Sequence, residues 1–90
     1  MNKNNLIDLV SEETKMTKTD TQRVIEAIIE TTRKTVKKGE PMRLVGFGTF
    51  VRAKRNARTA RNPRTGKEVS IPSHSIPRFK PGSEFKDLLN

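Results

Sequence analysis

The sequence predicts an α+β domain in the order helix, helix, strand, strand, basic hairpin, strand, helix, and three observations carry that prediction. Residues 16–41 repeat apolar side chains at helical spacing and stop at a Gly-Glu-Pro. Residues 42–57 alternate around a Gly-Phe-Gly. Residues 61–66, Arg-Asn-Pro-Arg-Thr-Gly, have strong turn chemistry, and alternation resumes after them.

The first helix is expected over residues 2–14. Asn2 is a good N-cap, and Leu6, Leu9 and Val10 fall on one face. The second has Thr17 as N-cap and Asp20 at its third position, an approximate capping box. Val24, Ile25, Ile28, Ile29, Thr32 and Val36 form its apolar stripe. Gly39 suits the C-terminal cap, and Pro41 prevents continuation. In the strands that follow, Gly46 and Gly48 permit a turn that other residues resist. Two longer strands, residues 51–60 and 67–76, then form the basic hairpin. Pro72 and Pro77 belong at edges or bends. A short last helix follows, with Ser83 as a cap and Phe85, Leu88 and Leu89 inward.

Ninety residues with 31% hydrophobic content make one small domain. Setting aside the polar hairpin leaves about seventy residues, and a core of that size rarely supplies more than ~3–5 kcal/mol. Such a domain needs disulfides, a metal or a partner subunit. The chain has no cysteine and one histidine, His74. That removes disulfides and a metal site and leaves a second subunit, so a dimer is expected. The absence of cysteine fits a reducing cytoplasm. The first ten residues lack the apolar run of a signal peptide, and no apolar run exceeds three residues, so no membrane partner is expected.

The net charge of +9 is unevenly placed. Residues 1–40 carry eight basic and seven acidic side chains, whereas residues 41–90 carry eleven and three. The excess concentrates in residues 52–67, where Arg52, Lys54, Arg55, Arg58, Arg61, Arg64 and Lys67 face no acid. On a helix the three-residue spacing would make one stripe, but Pro63 and Gly66 oppose a helix through the tip. As a ribbon, the segment is basic on both faces. Such a ribbon fits a groove flanked by phosphates, and duplex DNA is the densest regular polyanion in a cell. Guanidinium groups bond phosphate in a fork and enter narrow minor grooves. Lacking a base-reading helix, the chain is expected to have weak sequence preference. The ribbon is expected to be mobile until it binds. From its residue type, Pro63 reads either as a turn former or as an apolar wedge between base pairs.

The chain resembles the bacterial histone-like HU and integration host factor family over essentially its full length. The carriers are MNK at the start, KGE at residues 38–40, VGFGTF at 45–50, RNPRTGKEVSIP at 61–72 and IPRFKPG at 76–82. The resemblance implies an intertwined dimer with a helical base, a three-stranded antiparallel sheet and a protruding β-ribbon arm. The body would be about 1–53 and 75–90, the arm about 54–74. It implies that Pro63 intercalates in the minor groove, a mechanism known for such architectural proteins. Lys54, Arg55, Arg58, Arg61, Asn62, Arg64 and Lys67 would contact DNA from the arm, Arg52 from just before it, and Lys3, Lys80 and Lys86 from the rest of the body. Phe47, Phe50 and Phe79 would form the shared dimer core. The implied role is non-catalytic: DNA bending and compaction in the bacterial nucleoid, without cofactor or metal, with preference for bent, nicked or junction DNA. Ala60 stands where relatives commonly have glycine, Ser83 where many are basic, and Arg64 where many are neutral.

Three other readings compete. One is a sequence-specific integration-host-factor subunit in a heterodimer. Another is an RNA-recognition module, suggested by GFGTFV but opposed by Thr49 and by only four phenylalanines with no Tyr or Trp. RNA binding as a secondary activity of the basic arm is compatible with its phosphate chemistry. An enzyme is the third, but no nucleophile elbow, phosphate loop or acid pair is present.

Overall fold

Helix α1, Lys3–Thr14, starts at a reciprocal capping box. The Asn2 side chain accepts from the Asn5 backbone N–H at 2.9 Å, and the Asn5 side chain accepts from Asn2 at 3.1 Å. The expected Asn2 cap is therefore one half of a two-sided arrangement that saves two backbone donors from being left unpaired. The helix ends at Lys15, whose φ of +61° is left-handed.

Helix α2 spans Lys18–Lys37. Thr17 Oγ1 accepts from the Asp20 N–H at 3.1 Å, as its position predicts. At the other end the Gly39 N–H donates to Val36 O at 2.9 Å and the Glu40 N–H to Thr35 O at 3.2 Å. This nested pair needs a left-handed residue between helix and exit, and Gly39 supplies φ +89°.

The computed structural model describes residues 1–90 and comprises two compact units, Met1–Lys34 and Thr35–Asn90. In the first, Ile7 and Ser11 on α1 and Thr21 and Ile25 on α2 are buried. Each pair is four residues apart, so each helix offers a narrow seam. Lys3 Nζ to Glu26 at 2.9 Å and Lys18 Nζ to Asp8 at 3.3 Å bridge the two helices. Of the apolar face expected on α1, Leu6 and Leu9 are 41% and 50% exposed and Val10 is half-buried, while the buried positions are Ile7 and Ser11. Val24, Ile28 and Ile29 of the α2 stripe are also exposed. The buried positions of this unit thus include the small Ser11 and Thr21, while the larger apolar side chains Leu6, Leu9, Val24, Ile28 and Ile29 stay exposed.

In the second unit, β1 (Met42–Leu44), β2 (Gly48–Arg55) and β5 (His74–Pro81) form an antiparallel sheet in the order β1-β2-β5. Met42 pairs with Phe50, and Phe50 with Phe79. The β1–β2 turn closes through Phe47 N–H to Leu44 O at 3.0 Å, with Gly46 at φ +86°. β3 (Arg58–Arg61) and β4 (Glu68–Ile71) form a separate two-stranded ribbon. The hairpin strands expected to be continuous are thus each interrupted, at residues 56–57 and 72–73. Pro72 lacks the N–H that a continuous ladder would use, which accounts for one of the two breaks.

All four phenylalanines converge. The Phe79 ring centroid lies 4.8 Å from Phe50, 5.1 Å from Phe47 and 6.4 Å from Phe85, and Phe47 stacks on Phe85 at 5.5 Å. Helix α3, Ser83–Leu88, is anchored by Gly82 N–H donating to Phe47 O at 2.8 Å. Gly82 occupies the N-cap position without a side-chain bond, so Ser83 is the first helical residue and not the cap. Phe85 turns to the cluster, whereas Leu88 and Leu89 remain 80% and 74% exposed.

Gly48 lies beneath this cluster. A Cβ there would fall 2.5 Å from the Phe79 ring and 2.7 Å from Lys80 O. Gly48→Ala is expected to destabilise the fold by about 2–3 kcal/mol in chemical denaturation, the range of core overpacking. Gly39→Ala, with no atom within 4 Å of the added Cβ, should cost only about 1 kcal/mol, from its positive φ alone.

Candidate nucleic-acid interface

Sheet register decides which cations share a face. Side chains alternate along each strand, so the two faces of β1-β2-β5 are fixed by pairing. Phe50, Phe79, Met42, Leu44, Gly48 and Pro81 share one face, with the pairs Arg52–Pro77 and Lys54–Ser75 further along. The opposite face carries Arg43, Thr49 and Lys80 in one row, then Val51–Arg78, Ala53–Ile76 and Arg55–His74. One face is therefore aromatic at its base, and the other carries Arg43, Arg55, Arg78 and Lys80.

Arg43 and Arg78 are not among the sequence-based candidates, yet they share this face with Lys80. Their signal is the two-residue step from Lys80 to Arg78, legible once residues 76–82 are treated as a strand with two faces. Arg43 becomes legible only through its pairing with Thr49, which in turn pairs with Lys80.

Arg52 stands apart from the arm cations. It lies on the aromatic face, and its Nη1 donates to Lys37 O at 3.0 Å, at the C-terminal end of α2. A cation there meets an unpaired helix carbonyl and the negative end of the helix dipole. Its structural role is to brace the ribbon root against α2. Lys54 is exposed on that same face.

Beyond the break, Arg58 pairs with Ile71, Ala60 with Val69 and Arg61 with Glu68. Arg58 and Arg61 therefore point to opposite faces. Ala60 is half-buried in a regular strand. At the tip, Asn62 N–H donates to Lys67 O and Gly66 N–H to Asn62 O, both at 2.8 Å. The Asn62 side chain accepts from the Arg64 N–H at 2.9 Å. Asn62 is thus spent on shaping the turn, and Gly66 completes it at φ +72°. Pro63, Arg64 and Lys67 are exposed at or beside the apex.

Every ion pair in the chain lies within residues 1–34: Lys3–Glu26, Lys18–Asp8, Arg23–Asp20, Arg33–Glu30 and Lys34–Glu30. No cation of the second unit has a carboxylate partner, not even Arg61, which stands across from Glu68. Charges left unpaired in this density repel one another and attract a polyanion. Of the body lysines, Lys80 lies on the basic sheet face and Lys86 is exposed on α3. Lys3 is held by Glu26, whose carboxyl also accepts from Gln22 at 3.1 Å. The Lys3 hydrogen bond, then the Gln22 bond, then the Lys3 charge hold the Glu26 carboxyl below its ordinary range. No three His, Cys, Asp or Glu side chains converge as a metal site would require, and no helix is long and apolar enough to cross a membrane.

Residues 1–90 match the family described as bacterial DNA-binding protein. DNA-binding protein HU of Clostridium pasteurianum is 47% identical over 90 residues, covering 100% of this chain and 99% of its own. DNA-binding protein HU 1 of Bacillus subtilis is 40% identical, covering 99% and 97%. Among solved structures, the Anabaena HU–DNA cocrystal structure superposes with a TM-score of 0.94 at 38% identity, over 99% of this chain and 97% of that one. HU from Thermotoga maritima gives 0.71 at 29% identity, over the whole of both chains. The fold and its basic ribbon define a bacterial histone-like protein. The chain belongs to the bacterial DNA-binding protein family of the HU type.

A folded carboxyl with a depressed pKa contributes stability above its unfolded value and loses it as pH falls through the folded one. The Lys3–Glu26 contribution is therefore full at neutral pH and fades in acid. In Lys3→Met, the Glu26 carboxyl titration followed by NMR should move up towards the ordinary carboxylate range. An unmoved titration would show that the pair does not form in solution.

Proposed function

We propose that the protein is an architectural, largely sequence-independent DNA-binding protein that acts as a homodimer in the bacterial nucleoid, bending and compacting DNA. The observation that carries the reading is the segregation of charge: all carboxylate pairing is confined to residues 1–34, and the cations of residues 35–90 are left unneutralised. The names of its relatives, DNA-binding protein HU among them, and the cocrystal of a similar HU with DNA support the same reading.

The dimer follows from what the chain leaves uncovered. Leu6, Leu9, Val24, Ile28 and Ile29 are large apolar side chains left 38–50% exposed. Full burial of such a side chain is worth ~1.5–3 kcal/mol, so covering the exposed half contributes about 1 kcal/mol each. Phe47 is 44% exposed at the edge of the phenylalanine cluster, which fits a core of Phe47, Phe50 and Phe79 completed by a second copy.

The arm, about residues 54–74, enters the minor groove with Arg55, Arg58, Arg61, Arg64 and Lys67 against phosphates on either side. Pro63 presents an exposed ring at the apex, with a fixed φ and no N–H to leave unpaired. Inserting it between base pairs costs a few kcal/mol of stacking, offset by the wider protein surface that bent DNA meets. The body continues the phosphate track through Lys80 and, on the same sheet face, Arg78 and Arg43. Lys86 contributes from α3. Arg52 braces the arm and Lys3 reaches DNA only by leaving Glu26.

Gel-shift comparison of intact, nicked and four-way-junction DNA tests the reading. Nicked and junction DNA should bind more tightly, because part of the deformation is already made; equal affinities would overturn the kinking mechanism. About 8–10 phosphate contacts per dimer give a log–log salt slope near −7 to −9, and a slope near −2 would overturn the phosphate track. Pro63→Ala should reduce the bend measured by energy transfer while largely keeping association.

Two arginines separate contact from brace. Arg58→Ala should make the salt slope less negative by about one per arm with stability unchanged. Arg52→Ala should lower unfolding stability by about 1 kcal/mol and leave the slope near that of the wild type. The reverse pattern would exchange their roles.

A further inference from the structure

The break in the ribbon leaves a hollow of about 340 Å³ lined by Arg55, Asn56, Arg58, His74 and Ile76. It receives residues from the end of β2, the residue after it, the start of β3 and the start of β5. Its charged and titratable groups are two arginines and the chain's one histidine, and no carboxylate lines it. Arg55 and His74 are directly paired across the strands and so share a face. Among nearby strands, β4 places Ile71 across from Arg58, and Glu68 stands across from Arg61 beyond the hollow.

The His74 ring is oriented by Pro72. Its Nδ1 lies 3.2 Å from Pro72 O. A carbonyl oxygen only accepts, so this contact is a hydrogen bond when Nδ1 carries the proton. In the neutral ring Nε2 is then a bare lone pair, which a phosphate oxygen would not approach. Protonation converts Nε2 into a charged donor while the Pro72 bond keeps the ring in place. Proton and phosphate therefore favour one another at this site.

Resting on the DNA-binding reading above, we propose that this hollow is a phosphate subsite completed by a proton, so that each arm takes up a proton at His74 when it closes on a DNA phosphate. Arg55 and Arg58 supply permanent charge and His74 a conditional one. The arm then grips more tightly as pH falls across the range in which imidazoles gain charge. By linkage, DNA binding draws protons from the buffer, up to one per arm.

The test is affinity for a mixed-sequence nicked duplex from about pH 8 to about pH 5.5, the window of imidazole titration, at constant salt. Alongside it, calorimetry in buffers of differing ionisation enthalpy counts protons taken up. The wild type should bind about tenfold or more tightly at the acid end, with net proton uptake. His74→Gln, which keeps polarity but cannot gain charge, should bind DNA with a flatter pH profile and less uptake. His74→Lys, charged throughout the range, should hold the tight affinity at the alkaline end. If His74→Gln keeps the wild-type pH profile and proton count, the inference is overturned while DNA binding stands. If the wild type fails to bind the duplex at any pH, the DNA-binding reading itself fails.

Discussion

The packing of the Phe79 ring onto Gly48 is the constraint on which the second unit depends. It seats the edge strand β5 against the central strand β2, and it brings Phe50, Phe47 and Phe85 into one aromatic cluster. Because strand side chains alternate, committing one face of the sheet to this cluster commits the other to what remains. What remains is Arg43, Arg55, Arg78 and Lys80. The charged face thus follows from the hydrophobic one. A register slip of one residue would exchange the two and place arginines against phenylalanine.

Charge is arranged by the same economy of means. The helices of the first unit bind their cations in local pairs: Arg23 with Asp20, and Arg33 and Lys34 with Glu30, lie three or four residues apart, and Lys3 and Lys18 reach across to the other helix. Exposed pairs of this kind contribute little to stability. Their consequence is electrostatic: they leave the first unit close to neutral, so the field of the protein is concentrated on the second. A two-stranded ribbon with so little apolar surface is marginal by itself. Its tip is held by backbone bonds around Asn62 and Gly66, and its root by Arg52 on the α2 carbonyl. Between these fixed ends lies the break at residues 56–57 and 72–73, where the strand ladder is interrupted.

The helix ends and the turns were legible because their causes are local. Asn2, Thr17, Gly39 and Gly66 act within four residues of themselves, and each acts in the structure as its type requires. Other features escaped. Leu6 and Leu9 have the right period for burial, but periodicity cannot say which of two apolar faces meets a neighbour in the same chain. Ser83 has cap chemistry, yet the bond from Gly82 to Phe47 moves the helix start by one residue. Arg52 belongs to a uniform run of basic residues, and nothing in that run reveals a carbonyl fifteen residues earlier.

The sequence by itself determined the element order, the turns, the excess of cations in its second half and the proline of the Arg-Asn-Pro-Arg turn, since all of these depend on residue type and short spacing. Only the tertiary structure decided which cations stand together. It placed Arg43 and Arg78 on the same sheet face as Lys80, turned Arg52 away to a helix end, tied Lys3 to Glu26 and set His74 opposite Arg55. The physical reason is that strand pairing and helix packing join residues far apart in the chain, and a difference of one position in register sends a side chain to the opposite face.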